Sequence, residues 1–203
     1  VITRPDQFVG VTTYSGTGST QSISGLGFKP DFVWLKRRDG AGNNNIQDSV
    51  RGAEYFIQSD DAMAQTNSGS RLSSFDDDGF TLTSDNGGNT SSGTYVAWTW
   101  KAGGNKNTFN VDDVGYASAA AAGLDGGTIT PTGASVGTKQ GFSIIKYTGT
   151  GATATVPHGL NNAPSFILTK TLGVAVQWVV YHSATGKDTV SYTHLRAHET
   201  LRY

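Results

Sequence analysis

Five groups of residues have types and spacings from which chemistry can be built. Gly133-Ala-Ser135-Val-Gly137 fits the G-x-S-x-G pattern of a nucleophile elbow, where a sharp strand-to-helix turn exposes a serine hydroxyl. Gly149-Thr-Gly151-Ala-Thr-Ala154 fits the dinucleotide fingerprint, which holds pyrophosphate on the N-terminus of a following helix. Asp76-Asp77-Asp78 offers hard oxygen ligands of the kind Ca²⁺ takes, and His194 and His198 have the i, i+4 spacing that on a helix puts two imidazoles on one metal. Trp34, Trp98 and Trp100 could stack a sugar ring, with Asn44 and Asn86 in polar loops to hydrogen-bond its hydroxyls.

Each chemistry demands a particular neighbourhood. Ser135 is flanked by Gly and Thr with no helix-forming run behind it, so linker is the better reading than an elbow. Thr153-Ala-Thr-Val156 follows Gly151 and favours a strand, which makes that glycine cluster a hairpin turn. The aspartate run lacks the spaced carboxylates and distal Glu of a calcium loop and precedes Gly79, the pattern of a solvated hairpin tip. No pair of carboxylates stands out as a glycosidase couple. The tryptophans are expected in the core, because a sandwich of this size needs large inward side chains; ligand contact by Trp98 and Trp100 is the alternative. Asp48 and Arg51 are expected to form a local ion pair at a strand end. No catalytic residue, cofactor or metal site is expected, and the protein is not expected to be an enzyme.

Composition agrees. The 203 residues carry a net charge of −1, so no basic footprint for nucleic acid exists, and Lys36-Arg37-Arg38 is too short to make one. There is no Cys, which excludes disulfide and thiolate chemistry, and no apolar run long enough for a helical membrane span. Twenty-seven glycines among short β-branched and aromatic runs predict an all-β fold with many turns.

The elements that must position these residues follow from the same runs. Strands are predicted over residues 8–14, 22–24, 31–36, 46–52, 55–57, 71–75, 80–83 and 95–100, with Asp78-Gly79 as a hairpin signal and 31–36 apolar enough to be central. The opening of this series recurs. Tyr14-Ser-Gly-Thr-Gly18 returns as Tyr147-Thr-Gly-Thr-Gly151, a separation of 133 positions, and Pro30-Asp-Phe32 with Lys36 returns as Pro164-Ser-Phe166 with Lys170, a separation of 134. A period this long means tandem domains rather than a solenoid. The expected organisation is a β-sandwich unit over 1–101, a Gly/Ala/Thr-rich connector over 102–140 with a short strand near Ile129 and a helical turn over 117–122, and a truncated second unit over 141–189. In that second unit 142–147 should be a strand and 165–170 the central strand, Trp178 a core anchor, and apolar faces and strand edges should be left uncovered.

The ordered set Tyr14-x-Gly-Thr-Gly18, Pro30-Asp-Phe-Val33 with Lys36, Asp48-Ser-Val-Arg-Gly52, Ser74-Phe75 with Asp78-Gly-Phe80, and Thr94-Tyr-Val-Ala-Trp98 with Trp100-Lys101 resembles a repeat domain of marine bacteriophage proteins described as tail-fibre-like or virion structural proteins. The resemblance covers residues 7–101 and, for its opening part, 141–188; His158-Gly159-Leu160 has the family's more usual form, where the first copy has Ser24-Gly25-Leu26. It implies tandem, jelly-roll-like antiparallel β-sandwiches in a virion component, extracellular once assembled in the host cytoplasm. Other virion subunits, further copies of the same chain and a bacterial surface glycan or protein are the implied partners. The alternative is a secreted bacterial carbohydrate-binding or adhesion module. Finally, Val190 to Thr200, VSYTHLRAHET, resembles the translation of a transposase-type sequencing adaptor, so 190–203 is expected to be an artefactual tail and the His194/His198 spacing to carry no metal chemistry.

Overall fold

The computed structural model describes residues 4–185. Val190–Tyr203, with His194 and His198, lies outside the described residues. The fold is all-β. In chain order the first eight strands are β1 (Val9–Ser15), β2 (Gln21–Ser24), β3 (Phe32–Arg37), β4 (Asn45–Asp48), β5 (Gly52–Gln58), β6 (Leu72–Asp76), β7 (Gly79–Leu82) and β8 (Thr94–Trp100). They make two antiparallel sheets, one of five strands in the order β1-β8-β3-β4-β5 and one of three in the order β2-β7-β6. Val33, Leu35 and Ala97 from the larger sheet meet Ile23, Leu72, Phe75, Phe80 and Leu82 from the smaller, giving the sandwich core. Tyr14 closes one end, stacked on Tyr95 with centroids 5.2 Å apart and donating its hydroxyl proton to the Gly88 carbonyl at 2.8 Å. Burial pushes its phenol well above the ordinary tyrosine range.

Local chemistry fixes the connections. The β6–β7 hairpin turns at Asp77-Asp78, and the Asp78 carboxylate accepts the amide protons of Gly25 and Gly27 at 2.9 and 2.6 Å, tying that tip to the β2–β3 loop. Gly79 is required where β7 runs beside β2: a Cβ there would stand 1.9 Å from the Ile23 carbonyl oxygen. The Asn-Gly-Gly-Asn stretch read as loop is one helical turn, α1 (Asn86–Asn89), started by Asp85, whose side chain accepts from the Gly87 amide at 2.6 Å.

The stretch 102–140, read as a connector, supplies three of the four strands of a third sheet. Strands β9 (Phe109–Val111), β10 (Val114–Tyr116), β11 (Gly133–Gly137) and β12 (Phe142–Lys146) lie in the order β10-β9-β11-β12, with β9 and β11 parallel. Every residue of β11 is buried, and Phe109, Leu124, Ala134 and Val136 form a core of their own. The reason is backbone packing. A Cβ at Gly103 would stand 2.4 Å from the Val136 carbonyl oxygen, so small residues allow strand and loop to touch where a hydrophobic pattern would have needed bulk. The turn near 117–122 is present, with the Ala122 amide bonded to Ser118, whereas Ile129 is in no strand and donates instead to the Thr155 carbonyl at 3.0 Å. Asp31 ties the segment leading into the third sheet to the sandwich: its carboxylate accepts from the Ala102 and Gly104 amides at 2.7 and 3.0 Å and from the Ser49 hydroxyl at 2.8 Å.

Residues 141–185 repeat features of the start. Thr150 and Ala152 exchange the side-chain and backbone hydrogen bonds that Thr17 and Ser19 exchange, and Gly18 and Gly151 share a φ of 73°. Strands β13 (Phe166–Thr169) and β14 (Val179–His182) pair Phe166 with His182 and Thr169 with Val179, the register of Phe32 with Asp48 and Leu35 with Asn45 moved by 134 positions. The 165–170 strand was expected to be central. Among the described residues β13 has β14 as its sole neighbour, because no counterpart of β8 is present to lie on its other side. Trp178 anchors this hairpin to the first sandwich rather than within its own unit: it packs on Ile46 and Ile57 and donates its indole N–H to the Gln58 carbonyl at 2.7 Å.

Candidate functional site

The outward face of the five-stranded sheet is aromatic. The ladder sets Trp34 directly opposite Trp98 and Phe32 directly opposite Trp100. Side chains alternate along β8, so Tyr95, Ala97 and Thr99 are buried inward while Val96, Trp98 and Trp100 stand half-buried on the outer face. The indoles of Trp34 and Trp98 meet edge to face, 6.1 Å between centroids at 68°, and Phe32 and Trp100 do the same at 5.4 Å and 76°. Trp34 donates its indole proton to Asn44 Oδ1 at 3.3 Å, and the Asn44 backbone N–H donates to Asp60 Oδ1 at 2.9 Å, which holds the loop against the ring.

Three neighbours limit this face. Phe142 of β12 stacks on Trp100, 6.3 Å at 28°, and meets Phe32 edge-on at 5.8 Å. Trp178 and Leu172 cover the β4–β5 side. Toward the β1 edge the surface stays open, with Val9 and Val11 exposed. Between these limits lies a groove of about 250 Å³ lined by Trp34, Asn44, Trp98 and Trp100. It is a concave apolar wall with one amide on its rim and no titratable side chain in its lining, so it can hold a small apolar ring face and can move no proton.

The structure therefore corrects the expectation that the three tryptophans are core. β8 is apolar on both faces, and the narrow space between the two sheets is filled by Leu35, Ala97, Phe75 and Phe80, leaving the bulkier indoles on the outside. Asn44 lies beside Trp34, Trp98 and Trp100 in the lining of the groove. The Asn86 side chain lies outside the described residues; its helical turn α1 packs Gly88 against Leu35 and Leu82.

The remaining sequence motifs are absorbed by structure. Ser135 sits in the middle of β11, fully buried, its hydroxyl accepting from the Gly103 amide at 2.9 Å and donating to the Gly104 carbonyl at 2.8 Å. That is no elbow. The glycines at 149 and 151 lie in an irregular segment with no helix after them, and Thr153–Val156, expected as strand, is extended loop held by Thr128 and Ile129. Asp76 accepts from Ser74 and Thr81 while Asp78 faces the glycines of the β2–β3 loop, so the carboxylates diverge. Among the described residues no group of three His, Cys, Asp or Glu side chains converges as a metal site. Asp48 and Arg51 do pair, Oδ2 to Nε at 2.5 Å, but almost fully buried and with Arg51 also bound to the Ile46 carbonyl, which makes them a fastener of the β4–β5 turn rather than a surface pair.

One cavity had no signal in the sequence. A polar cleft of about 530 Å³ lies between the first sandwich and the third sheet, edged by Lys29, Asp77, Lys101, Asp112, Asp113 and Lys139. These come from separate segments, so no spacing reveals them. Its charges mostly compensate one another: Lys101 reaches Asp113 at 2.7 Å, Lys29 reaches Asp77 at 3.7 Å, and Asp112 accepts from Thr138.

No helix among the described residues is long and apolar enough to cross a membrane. The family described as Domain of unknown function (DUF7483) matches residues 4–200, a span that includes both copies of the repeated opening, the third sheet and the segment 190–200. No curated protein and no solved structure matches the chain. The chain belongs to the DUF7483 family.

Proposed function

We propose that this DUF7483 protein is a non-enzymatic, adhesive structural module, a bacteriophage virion component of the tail-fibre or appendage kind, and that its aromatic groove holds a glycan of the bacterial surface. One observation carries the reading: three of the chain's four tryptophans line an open outer sheet face beside a single amide, with no acid, base or nucleophile among them. A pyranose offers an apolar C–H face to an indole and hydroxyls to an amide. Large rigid aromatics gain contact area at little entropic cost. Ser135, the one serine in a nucleophile-like pattern, spends its hydroxyl on the backbone, which supports a binding rather than catalytic role. Weak single-site contacts would be multiplied by many copies in a homo-oligomeric appendage packed with other virion subunits.

The matching registers of β3–β4 and β13–β14 support reading 141–189 as a second unit of the same kind. The glycan reading is tested by displaying the chain in many copies against a panel of bacterial surface polysaccharides. Retention of one class of polysaccharide by the native chain and its loss with Trp98→Ala is expected. Retention that is indifferent to both Trp98→Ala and Trp34→Ala would overturn the groove as the site. Virion genes flanking the coding sequence are expected; flanking secretion or glycan-utilisation genes would favour the secreted bacterial module instead.

A further inference from the structure

We propose that Asp125-Gly126 is the site at which the folded chain converts an aspartyl bond to isoaspartate, and that this conversion releases the nearby contact of Thr128 and Ile129 with Thr155. The inference is independent of the glycan groove, and the reaction needs only water. The Gly126 amide nitrogen attacks Asp125 Cγ, an N–Cγ bond forms, and the carboxyl hydroxyl leaves as water with the amide proton. A second water then opens the succinimide ring. Cleavage of the new N–Cγ bond restores aspartate, whereas cleavage of the original peptide C–N bond leaves the chain running through Cγ. Glycine favours the attack because no Cβ shields its nitrogen.

Four bonds in the chain have the required sequence: Asp39-Gly40, Asp78-Gly79, Asn86-Gly87 and Asp125-Gly126. By side-chain chemistry alone Asn86 would react first, since a carboxylate ionised at neutral pH resists attack. The fold reverses that order. Asp85 caps α1 by accepting the Gly87 amide proton at 2.6 Å, which ties up the nitrogen that would attack Asn86. The Asp78 carboxylate is held by the Gly25 and Gly27 amides, and Gly79 belongs to β7, between β2 and β6. Asp39 accepts from Arg37 Nε at 2.8 Å, a bond that keeps its carboxyl below the ordinary range, as the Gly27 and Gly25 amides keep that of Asp78. Asp125, by contrast, is exposed, and among the described residues neither its carboxylate nor the Gly126 N–H has a hydrogen-bond partner. A Cβ on Gly126 would meet nothing within 4 Å, so the ring has room to close.

These two unheld residues lie between held ones. Leu124 is 1% exposed in the third-sheet core, and its amide donates to the Ala119 carbonyl at 2.8 Å. On the other side the Thr128 amide donates to Thr155 Oγ1 at 3.0 Å, the Thr155 amide to Thr128 Oγ1 at 2.8 Å, and the Ile129 amide to the Thr155 carbonyl at 3.0 Å. A Cβ at Gly127 would stand 2.6 Å from that carbonyl oxygen, which leaves no slack for a longer chain. Isoaspartate lengthens the backbone by one carbon, about 1.5 Å. Leu124 cannot move without opening its core, so the exposed Thr128–Thr155 contact gives way.

The test incubates the intact chain at neutral pH in water enriched in ¹⁸O, native and, in parallel, unfolded in urea. Each succinimide opening inserts one heavy oxygen, which fragmentation of tryptic peptides locates. In the native chain, label and isoaspartate at Asp125 are expected to exceed those at Asn86, Asp39 and Asp78 by about tenfold or more, the protection that local structure confers. In urea Asn86 should lead instead. As isoaspartate accumulates, amide exchange at Ile129 and Thr155 should quicken by about tenfold while β1, β3 and β8 stay unchanged. Asp125→Glu, on an exposed position, would need a larger ring and should abolish both effects. Label led by Asn86 in the native chain, or spread equally over the four sites, would overturn the assignment. Isoaspartate at Asp125 with exchange at Ile129 and Thr155 unmoved would overturn the release.

Discussion

Trp34 and Trp98 stand directly opposite one another on neighbouring strands, their rings edge to face at 6.1 Å on the side of the sheet turned away from the sandwich core. Because neither indole belongs to that core, removing one should cost binding more than folding. Trp98→Ala is expected to lower the affinity for a retained polysaccharide at least tenfold, about 1.4 kcal/mol, while the cooperative melting transition persists. Isothermal titration beside a thermal melt checks both. Loss of the folded baseline together with binding would place Trp98 in the core after all.

The indole of Trp178 fastens the β13–β14 hairpin to β4 and β5. Truncation to alanine opens a site of the kind that costs about 3–5 kcal/mol in a core. The loss should be local, since the sandwich core lies on the other face of the sheet. Hydrogen exchange in Trp178→Ala is expected to accelerate across residues 166–182 and to remain slow in β1, β3 and β8. Uniform acceleration throughout would contradict this division.

Two aspartates are shifted in opposite directions. Burial raises Asp31 above the ordinary range, against the lowering effect of the Ser49 hydroxyl and the Ala102 and Gly104 amides. The Gly27 and Gly25 amides lower Asp78. A raised carboxyl favours the fold below its unfolded pKa, and that contribution is lost as pH rises through the folded value. A lowered one favours the fold above its unfolded pKa, and its contribution is lost as pH falls through the folded value. Carboxyl ¹³C titration should place the Asp31 midpoint above, and the Asp78 midpoint below, that of an ordinary aspartate. Asp78→Asn should then flatten the acid limb of the melting temperature against pH, and coincident midpoints would contradict the geometry.

Gln47 is fully buried in β4, and neither polar atom of its side chain has a hydrogen-bond partner among the described residues. Such groups carry a desolvation cost with nothing to offset it. Gln47→Met, similar in volume, is expected to raise stability by about 1 kcal/mol in denaturant unfolding. A destabilised variant would show that the amide is satisfied in solution.

Much of this was legible because particular residues enforce particular geometry. Asp78-Gly79 announced the β6–β7 hairpin, and Pro30 followed by the apolar run to Leu35 announced a central strand. Alternation told which residues of β8 share a face. It could not say which face is inside, since Tyr95 and Ala97 are as compatible with a core as Trp98 and Trp100. The third sheet was illegible for a different reason. Gly133-Ala-Ser-Val-Gly137 has almost no bulk to pattern, and its burial comes from backbone contact with β9 and β12 and from Gly103, relations set by tertiary approach. The groove needed the Asn44 loop to fold back onto Trp34, which no local rule encodes.

The central claim is that the groove is where ligand binds, and the four tryptophans provide both site and control. Trp34, Trp98 and Trp100 line or flank the opening, while the Trp178 indole N–H is buried on the Gln58 carbonyl. The most direct measurement is an indole ¹H–¹⁵N titration of the intact chain with a polysaccharide retained in the binding panel. The account predicts saturable shifts at Trp34, Trp98 and Trp100 with Trp178 stationary. Saturable binding that leaves those three indoles unmoved would contradict it.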